Sequence, residues 1–301
     1  MSTGRITESM TGRRLLADLN ASTSLVAKYQ RQISSGRRME KPSDDPLATH
    51  TALRLRNELQ GLANDQRSIS DAKGWLDTTE AALGAMTDIA QRARELALQG
   101  SNGTMAQADR NKIADEIDQL IQTAKSSANA SYGGRYVFSG TRTDTPPYLS
   151  GAVDAWQGDP GGTIYRTVGA GQTIPVNVRG EDVLGNGGTD GKLLATMRSL
   201  SNNLRTGNIA ALQASDLGAL STNLEEITSA RGVVGALTNR IESAAVRLAQ
   251  IEEATTGLLS EAEDTDIAKA LIQLTTQQSV YQAALKSGQT LIQPSLLDFL
   301  R

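Results

Sequence analysis

Leu15-Leu16-Ala17-Asp18-Leu19-Asn20-Ala21-Ser22-Thr23-Ser24-Leu25-Val26-Ala27-Lys28-Tyr29-Gln30-Arg31-Gln32-Ile33 has a counterpart at the other end of the chain. Within it, Leu15, Leu19, Ser22, Val26, Tyr29 and Ile33 recur at alternating steps of four and three. Near the finish, Ile267, Leu271, Leu274, Gln278, Tyr281, Leu285, Gly288 and Ile292 do the same. That spacing sets one residue per turn on a single stripe of an α-helix, the pattern of helices that pack along their length. Two such stripes so far apart in sequence predict a chain that leaves, builds something, and returns to pair its termini.

Composition narrows what lies between. At 301 residues the chain can bury a sizeable core. It has no cysteine, which excludes disulfides, thiolate zinc sites and cysteine nucleophiles, and a single histidine, His50, which excludes a His-cluster metal site. Two Phe and two Trp leave the core to Leu, Ile, Val and Ala, favouring slender helix packing. A net charge of -3 carries no electrostatic footprint for nucleic acid or an acidic membrane surface. No stretch has the apolar length of a membrane span, and the start lacks the apolar run of a cleavable signal peptide, so composition alone reads as cytoplasmic.

Along the chain, a first helix is expected from about Glu8 to Ser34, closing at Gly36. Pro42-Ser43-Asp44-Asp45-Pro46 then opens a second, with Pro46 at its first position and an aspartate as its cap. Ala48, Ala52, Leu55, Leu59, Leu62, Gln66 and Ile69 carry its seam. After a one-residue slip, Ala72, Leu76, Thr79, Leu83, Met86, Ala90, Ala93 and Ala97 continue it, until Gly100 and Gly103. As one helix this would span roughly 80 Å at 1.5 Å per residue. Thr104-Met105-Ala106-Gln107 resembles a capping box opening a third helix with Ile113, Ile117, Leu120 and Ala124 on its apolar face. From Tyr132 to about Gly191, glycine, proline and short β-branched runs predict a small β-rich insert. Helical pattern returns at Leu193 and again from Asp216 through two seams, Leu217–Ile227 and Val234–Leu258. Asp264-Thr265-Asp266 starts the last helix, which ends before Pro294.

The expected fold is mainly α with a β-rich insert in an elongated molecule. Residues 1–45 with 262–301 form a terminal coiled-coil domain, 46–140 with 192–261 a helical rod, and 141–191 a β-rich domain at the tip.

Residues able to carry chemistry are few. His50 lies near Asp44 and Asp45, but no serine stands in a nucleophile elbow, so a surface or packing histidine is the reading. The doublets Asp115/Glu116, Glu225/Glu226 and Glu252/Glu253 diverge on their helices, whereas acid–base chemistry needs convergence. The glycines at 169–171 and 185–191 complete no phosphate-binding fingerprint. No catalytic, cofactor-binding or metal site is expected. More informative are apolar residues that one partner helix cannot cover. Ile272, Val280 and Leu291 fall away from the last seam, and the chain finishes Leu296-Leu297-Asp298-Phe299-Leu300-Arg301, a tail that wants burial. The expected interface set is therefore Leu15, Leu19, Val26, Tyr29, Ile33, Ile267, Leu271, Leu274, Tyr281, Leu285, Ile292, Leu296, Leu297 and Phe299, buried against neighbouring copies in an open or tubular assembly.

Several segments resemble one family. They are Arg5-Ile6-Thr7, Ile33-Ser34-Ser35-Gly36-Arg37-Arg38 leading into Pro42–Pro46, Gly100-Ser101-Asn102-Gly103-Thr104, and above all Gly133-Gly134-Arg135-Tyr136-Val137-Phe138 followed by Pro146-Pro147-Tyr148. Together with Gln157-Gly158-Asp159 and Ile174-Pro175-Val176-Asn177-Val178, they make the whole chain similar to the bacterial flagellin superfamily. Within it, the likeness is to the hook-associated protein 3 family of hook–filament junction proteins. Ser2-Thr3-Gly4 stand between Met1 and the Arg5-Ile6 with which such proteins begin.

The resemblance implies a secreted, extracellular flagellar protein exported by the flagellar type III apparatus without a cleaved signal, against the cytoplasmic reading. It further implies paired terminal helices forming an inner tube and poorly ordered before assembly. The implied partners are copies of itself, hook-associated protein 1, flagellin, and an export chaperone before secretion, with no nucleic acid and no membrane insertion. A minor flagellin, or a secreted adhesin using Trp156 and Tyr165 of the insert to stack on sugar, are the alternatives.

Overall fold

The structure is a computed structural model that describes residues 8–39, 41–151, 153–169 and 171–292. In chain order it runs α1 (Glu8–Ser35), α2 (Pro46–Gly100), α3 (Gln107–Ala128), β1 (Ser131–Tyr132), β2 (Arg135–Tyr136), β3 (Tyr165–Thr167) and β4 (Thr173–Pro175). The turn α4 (Gly180–Val183) follows, then α5 (Leu193–Thr206), α6 (Ile209–Ala211), α7 (Leu217–Glu263) and α8 (Ile267–Ile292). A π-helical turn, Leu212–Asp216, leads from α6 into α7. The strands form two antiparallel hairpins, with Ser131 opposite Tyr136 and Arg166 opposite Ile174. The fold is mainly α with a small β region, as the periodicity predicts. The chain divides into two compact units, residues 1–60 with 252–301 and residues 61–251.

Helix starts follow the sequence in two cases and depart from it in one. The Asp45 carboxylate accepts from the Ala48 amide (3.0 Å), with Pro46 at the first helical position, and Asp266 accepts from Lys269 (3.0 Å). The expected capping box at α3 does not form. Ala106 is the cap residue, and the Thr104 hydroxyl turns to Asn102 (2.9 Å). Gln107 Nε2 donates instead to the carbonyls of Leu204 (2.8 Å) and Arg205 (2.9 Å), satisfying oxygens that the end of α5 leaves open.

In the unit 61–251, the seam read on α2 is fully buried: Ala72, Leu76, Thr79, Leu83, Met86, Ala90, Ala93 and Ala97 each have no exposure. Thr79 is tolerated there because its hydroxyl donates back to the Trp75 carbonyl (2.9 Å). Facing residues come from α3 (Ile113, Ile117, Ile121), α5 (Leu193, Met197, Leu200, Leu204) and α7 (Leu220, Ile227, Val234, Ile241). Val137, Phe138, Tyr148, Trp156, Ile174 and Val176 of the β region belong to the same continuous cluster.

Three contacts hold the β region in place. Trp156 Nε1 donates to the Phe138 carbonyl (3.0 Å), and the Tyr148 hydroxyl donates to the Gly185 carbonyl (2.6 Å). Burial pushes the Tyr148 phenol far above its ordinary range, so it remains a neutral donor. Lys125, 2% exposed, places its ammonium against Asp154 (2.5 Å) and the carbonyls of Gly151 (2.8 Å) and Val153 (2.7 Å). Arg198 holds the other oxygen of Asp154 (2.9 Å). Burial pushes the Asp154 carboxyl up, but the hydrogen bonds from Arg198 and Lys125 outweigh it and hold the group below the usual carboxylate range. Arg198 and Arg205 continue this alternation of charge along α3 through Asp118 and Asp115.

Candidate assembly face

The termini pair, α1 against α8, within the unit formed by residues 1–60 and 252–301. On α1 the seam is the one read from the sequence: Ser22 is buried, and Leu15, Leu19, Val26, Tyr29 and Ile33 are half-buried. On α8 the face turned to α1 is different. Ala270 and Gly288 are buried, and Leu274, Gln277, Tyr281 and Ala284 are half-buried. This second series, 270-274-277-281-284-288, also steps by four and three. It shares Leu274, Tyr281 and Gly288 with the sequence series, and amounts to a turn of roughly 50° on a helix of 3.6 residues per turn.

Small and polar side chains decide this rotation. Gln277 Nε2 donates to the Ser22 hydroxyl (3.0 Å). At Gly288 an added Cβ would stand 2.6 Å from Leu15 Cδ2, so a side chain there has to displace the end of that leucine. Gln32, 8% exposed, donates to the Arg38 carbonyl (2.7 Å). A polar residue at a seam position fixes register where aliphatic neighbours would slide.

The consequence is an uncovered apolar ridge. Ile267 (57% exposed), Leu271 (51%) and Leu285 (40%), named by the sequence seam, are turned away from α1, as are Ile272 (66%) and Val280 (49%). On α1, Met10, Leu16 and Leu25 are exposed as well. Ile292 is the last residue of α8, and Leu296, Leu297 and Phe299 lie outside the described residues. Burying one such aliphatic side chain is worth about 1.5–3 kcal/mol. A two-helix pair that leaves this much surface in water is marginal by itself.

Sequence reasoning missed the way the ends of the pair are tied. The α1–α2 and α7–α8 connections meet as a single antiparallel bridge, Arg37 opposite Asp264. The Arg38 amide donates to the Glu263 carbonyl (2.7 Å) and the Thr265 amide to the Gly36 carbonyl (2.9 Å). Arg56 adds an ion pair to Glu263 (2.6 Å). Gly36 adopts φ +69°, the left-handed turn that ends α1 and aims the chain at its partner. Only the glycine was visible in the sequence, because backbone groups make the rest.

The other residues singled out earlier fall elsewhere. His50 is exposed, and the neighbouring aspartates are engaged: Asp45 caps α2, and Asp44 accepts from the Lys41 amide (3.1 Å). Trp156 is 7% exposed with its indole N–H satisfied, whereas Tyr165 is 58% exposed, so the two cannot form one stacking platform. On α7, Ile251 and Leu258 are exposed, and Thr255 is buried in their stead. Among the described residues no three His, Asp or Glu side chains converge to hold a metal ion. No helix there is long and apolar enough to cross a membrane.

Comparison with known proteins agrees with this architecture. The bacterial flagellin N-terminal helical region matches residues 6–143, and the bacterial flagellin C-terminal helical region matches residues 217–300. Flagellin FlaB1 of Treponema pallidum is 26% identical over 97% of both chains. Among solved structures, a candidate flagellar hook-associated protein of Vibrio parahaemolyticus superposes with a TM-score of 0.67 at 24% identity, covering 73% of this chain and 100% of its own. The flagellar junction protein FlgL of Legionella pneumophila gives 0.56 at 18% identity, covering 70% and 100%. At those identities the likeness is one of fold, while the two family regions account for most of the chain. The chain belongs to the bacterial flagellin family and is a structural protein of the flagellum.

Proposed function

We propose that the protein is the adaptor at the hook–filament junction, where it joins two mechanically different helical polymers and catalyses nothing. One observation carries this: α8 is turned so that Ala270, Gln277 and Gly288 meet α1 while Ile267, Leu271, Ile272, Val280 and Leu285 remain in water. A surface of that kind fits subunits that complete each other. In this reading residues 1–45 with 262–301 do the assembling, 46–140 with 192–261 form the rod, and 141–191 form the insert. The interface set is the one named above, including Ile292, Leu296, Leu297 and Phe299. The neighbours are copies of the chain, hook-associated protein 1 on one side and flagellin on the other. An export chaperone precedes them, and secretion is through the flagellar type III apparatus.

The fold of the solved relatives named for hook association and for the junction supports the adaptor. The second reading, a minor flagellin, is favoured by the full-length likeness to a flagellin. The adhesin alternative loses its support with the burial of Trp156. Deleting the gene and viewing the cells by electron microscopy separates the first two. A junction adaptor leaves intact hooks and sheds filament protein into the medium. Filaments that remain attached to the hooks would overturn the adaptor reading.

A further inference from the structure

Between the β3–β4 hairpin and the middle of α7 lies a groove of about 520 Å³. Gln172 and Thr173 line it from the hairpin, and Asn239, Arg240, Ser243 and Arg247 line it from α7. All six are exposed, and among the described residues neither arginine makes an ion pair or a hydrogen bond. Arg166, Arg198, Arg205 and Arg231 of the same unit each hold a carboxylate. No acid lines the groove. Of the acids around it, Glu242 is held by Lys73 (2.7 Å) and Asp71 by Arg166 (2.7 Å), while Asp65 stands beside Gly169 at the hairpin turn. Arg240 and Arg247 thus outweigh Asp65, and the groove is positive.

A complementary face lies on α2. Asp77, Ala81, Gly84 and Asp88 step by four, three and four, and so share one stripe. Asp77, Ala81 and Asp88 are exposed, and an added Cβ at Gly84 would meet nothing within 4 Å. Among the described residues neither aspartate makes an ion pair. The cations one turn to either side are committed, Lys73 to Glu242 and Arg92 to Glu116 and Glu95, and Glu80 is neutralised by Arg231. Counted in full, Lys73 and Arg92 stand against Asp77, Asp88, Glu95, Glu116 and Glu242, so this face is negative.

We infer that Arg240 and Arg247 of one copy dock on Asp77 and Asp88 of the next, with Ser243 over Ala81 and Gly84. The inference rests on the assembly reading above and adds to it a contact in the unit 61–251. The molecule's own aspartates cannot serve. The Lys73–Glu242 and Glu80–Arg231 pairs mark the side of α7 that is turned to α2. At 100° per residue, Arg240 and Arg247 lie about 160° and 140° round the helix from Glu242. Spacing agrees with docking between copies. The arginines are about 10.5 Å apart along their helix and the aspartates about 16.5 Å, and the arginine stems make up roughly 3 Å at each end. Ser243, Ala81 and Gly84 are small enough to let the two helices approach between the charges. Each copy offers both faces, so the contact runs head to tail and propagates instead of closing. Exposed ion pairs are weak and screened by salt, so these set register more than they supply affinity.

The chain has no cysteine, so single cysteines report the contact cleanly. One full-length copy carries Ser243→Cys and another Ala81→Cys, expressed together in cells without the native gene, and the assembled flagella are oxidised with copper phenanthroline. A disulfide-linked dimer is expected from the mixture and from neither copy alone. Its yield should fall about tenfold or more with Arg240→Glu and Arg247→Glu in the first copy, because acids then face acids. It should return when the second copy also carries Asp77→Arg and Asp88→Arg, while circular dichroism shows unchanged helix content. No dimer from the mixture, a dimer from either copy alone, indifference to the charge reversal, or failure of the reciprocal change to restore it overturns the docking. A photo-crosslinking benzoylphenylalanine at position 271 keeps the assembly reading separate. Links between copies there, with no disulfide dimer, overturn the docking and leave that reading standing; links at neither place overturn both.

Discussion

The α2 seam and the α8 seam share the same four-three step yet end in opposite states. Ala72 through Ala97 of α2 are sealed from water, whereas α8 buries Ala270 and Gly288 and exposes Leu271 and Leu285. The difference is one of partners. Helices α3, α5 and α7 face α2 in the unit 61–251, while among the described residues α8 packs along α1. A heptad-like stripe therefore says that a helix will pack lengthwise, and leaves open whether its own chain supplies enough surface to cover it.

The comparison breaks most easily at Leu83. Leu83→Ala is expected to destabilise the dilute monomer by about 2–5 kcal/mol, as for large-to-small changes in a sealed core, measured by urea denaturation. Leu271→Ala should change monomer stability by less than about 0.5 kcal/mol, as surface substitutions do, yet reduce the number of attached filaments. Equal costs at the two sites would mean that the terminal pair is a completed core.

A second break lies at Lys125. Lys125→Met removes the cation that Asp154 and three loop carbonyls share, and should cost about 2–3 kcal/mol because the buried acceptors lose their donor. Hydrogen exchange should then rise in residues 149–154 and stay unchanged in α1 and α8.

Gly288→Val works the other way. Its branched side chain has to push Leu15 aside, so exchange should accelerate along α1 and α8 at a cost of about 1 kcal/mol, the low end for overpacked sites, with the other unit unaffected.

The smallest effect is with pH. The native Asp154 carboxyl titrates below its unfolded value of about 3.9. The unfolded chain then binds more protons in that window, and stability falls as pH drops through it. The contribution is complete above the unfolded value and gone below the native one. Asp154→Asn should remove this acid step from the denaturation profile of the unit 61–251. If the step survives in that variant, another carboxylate is responsible.

How much of this could be read in advance follows from what each side chain announces. The α2 seam was legible because bulky aliphatics and alanines mark one face through a single one-residue slip, and α1 likewise through Leu15, Leu19, Val26 and Ile33. The rotation of α8 was not. The eye follows Ile267, Leu271 and Leu285, while Gln277 and Gly288, which set the contact, look like interruptions. Lys125 reads as an ordinary surface lysine, because its three carbonyl partners have no sequence signature. The same holds for the Arg37–Asp264 bridge. Thr104 and Gln107 matched a capping box, and the match failed because the end of α5 competed for the glutamine.

That bridge has a mechanical consequence. Arg37 and Asp264 sit where the two terminal helices hand over to the rest of the chain, joined through Gly36, Arg38, Glu263 and Thr265. A pull or twist applied along either helix is shared at once by both polypeptide strands. Displacing one helix from the other here strains both the Thr265–Gly36 and the Arg38–Glu263 bonds.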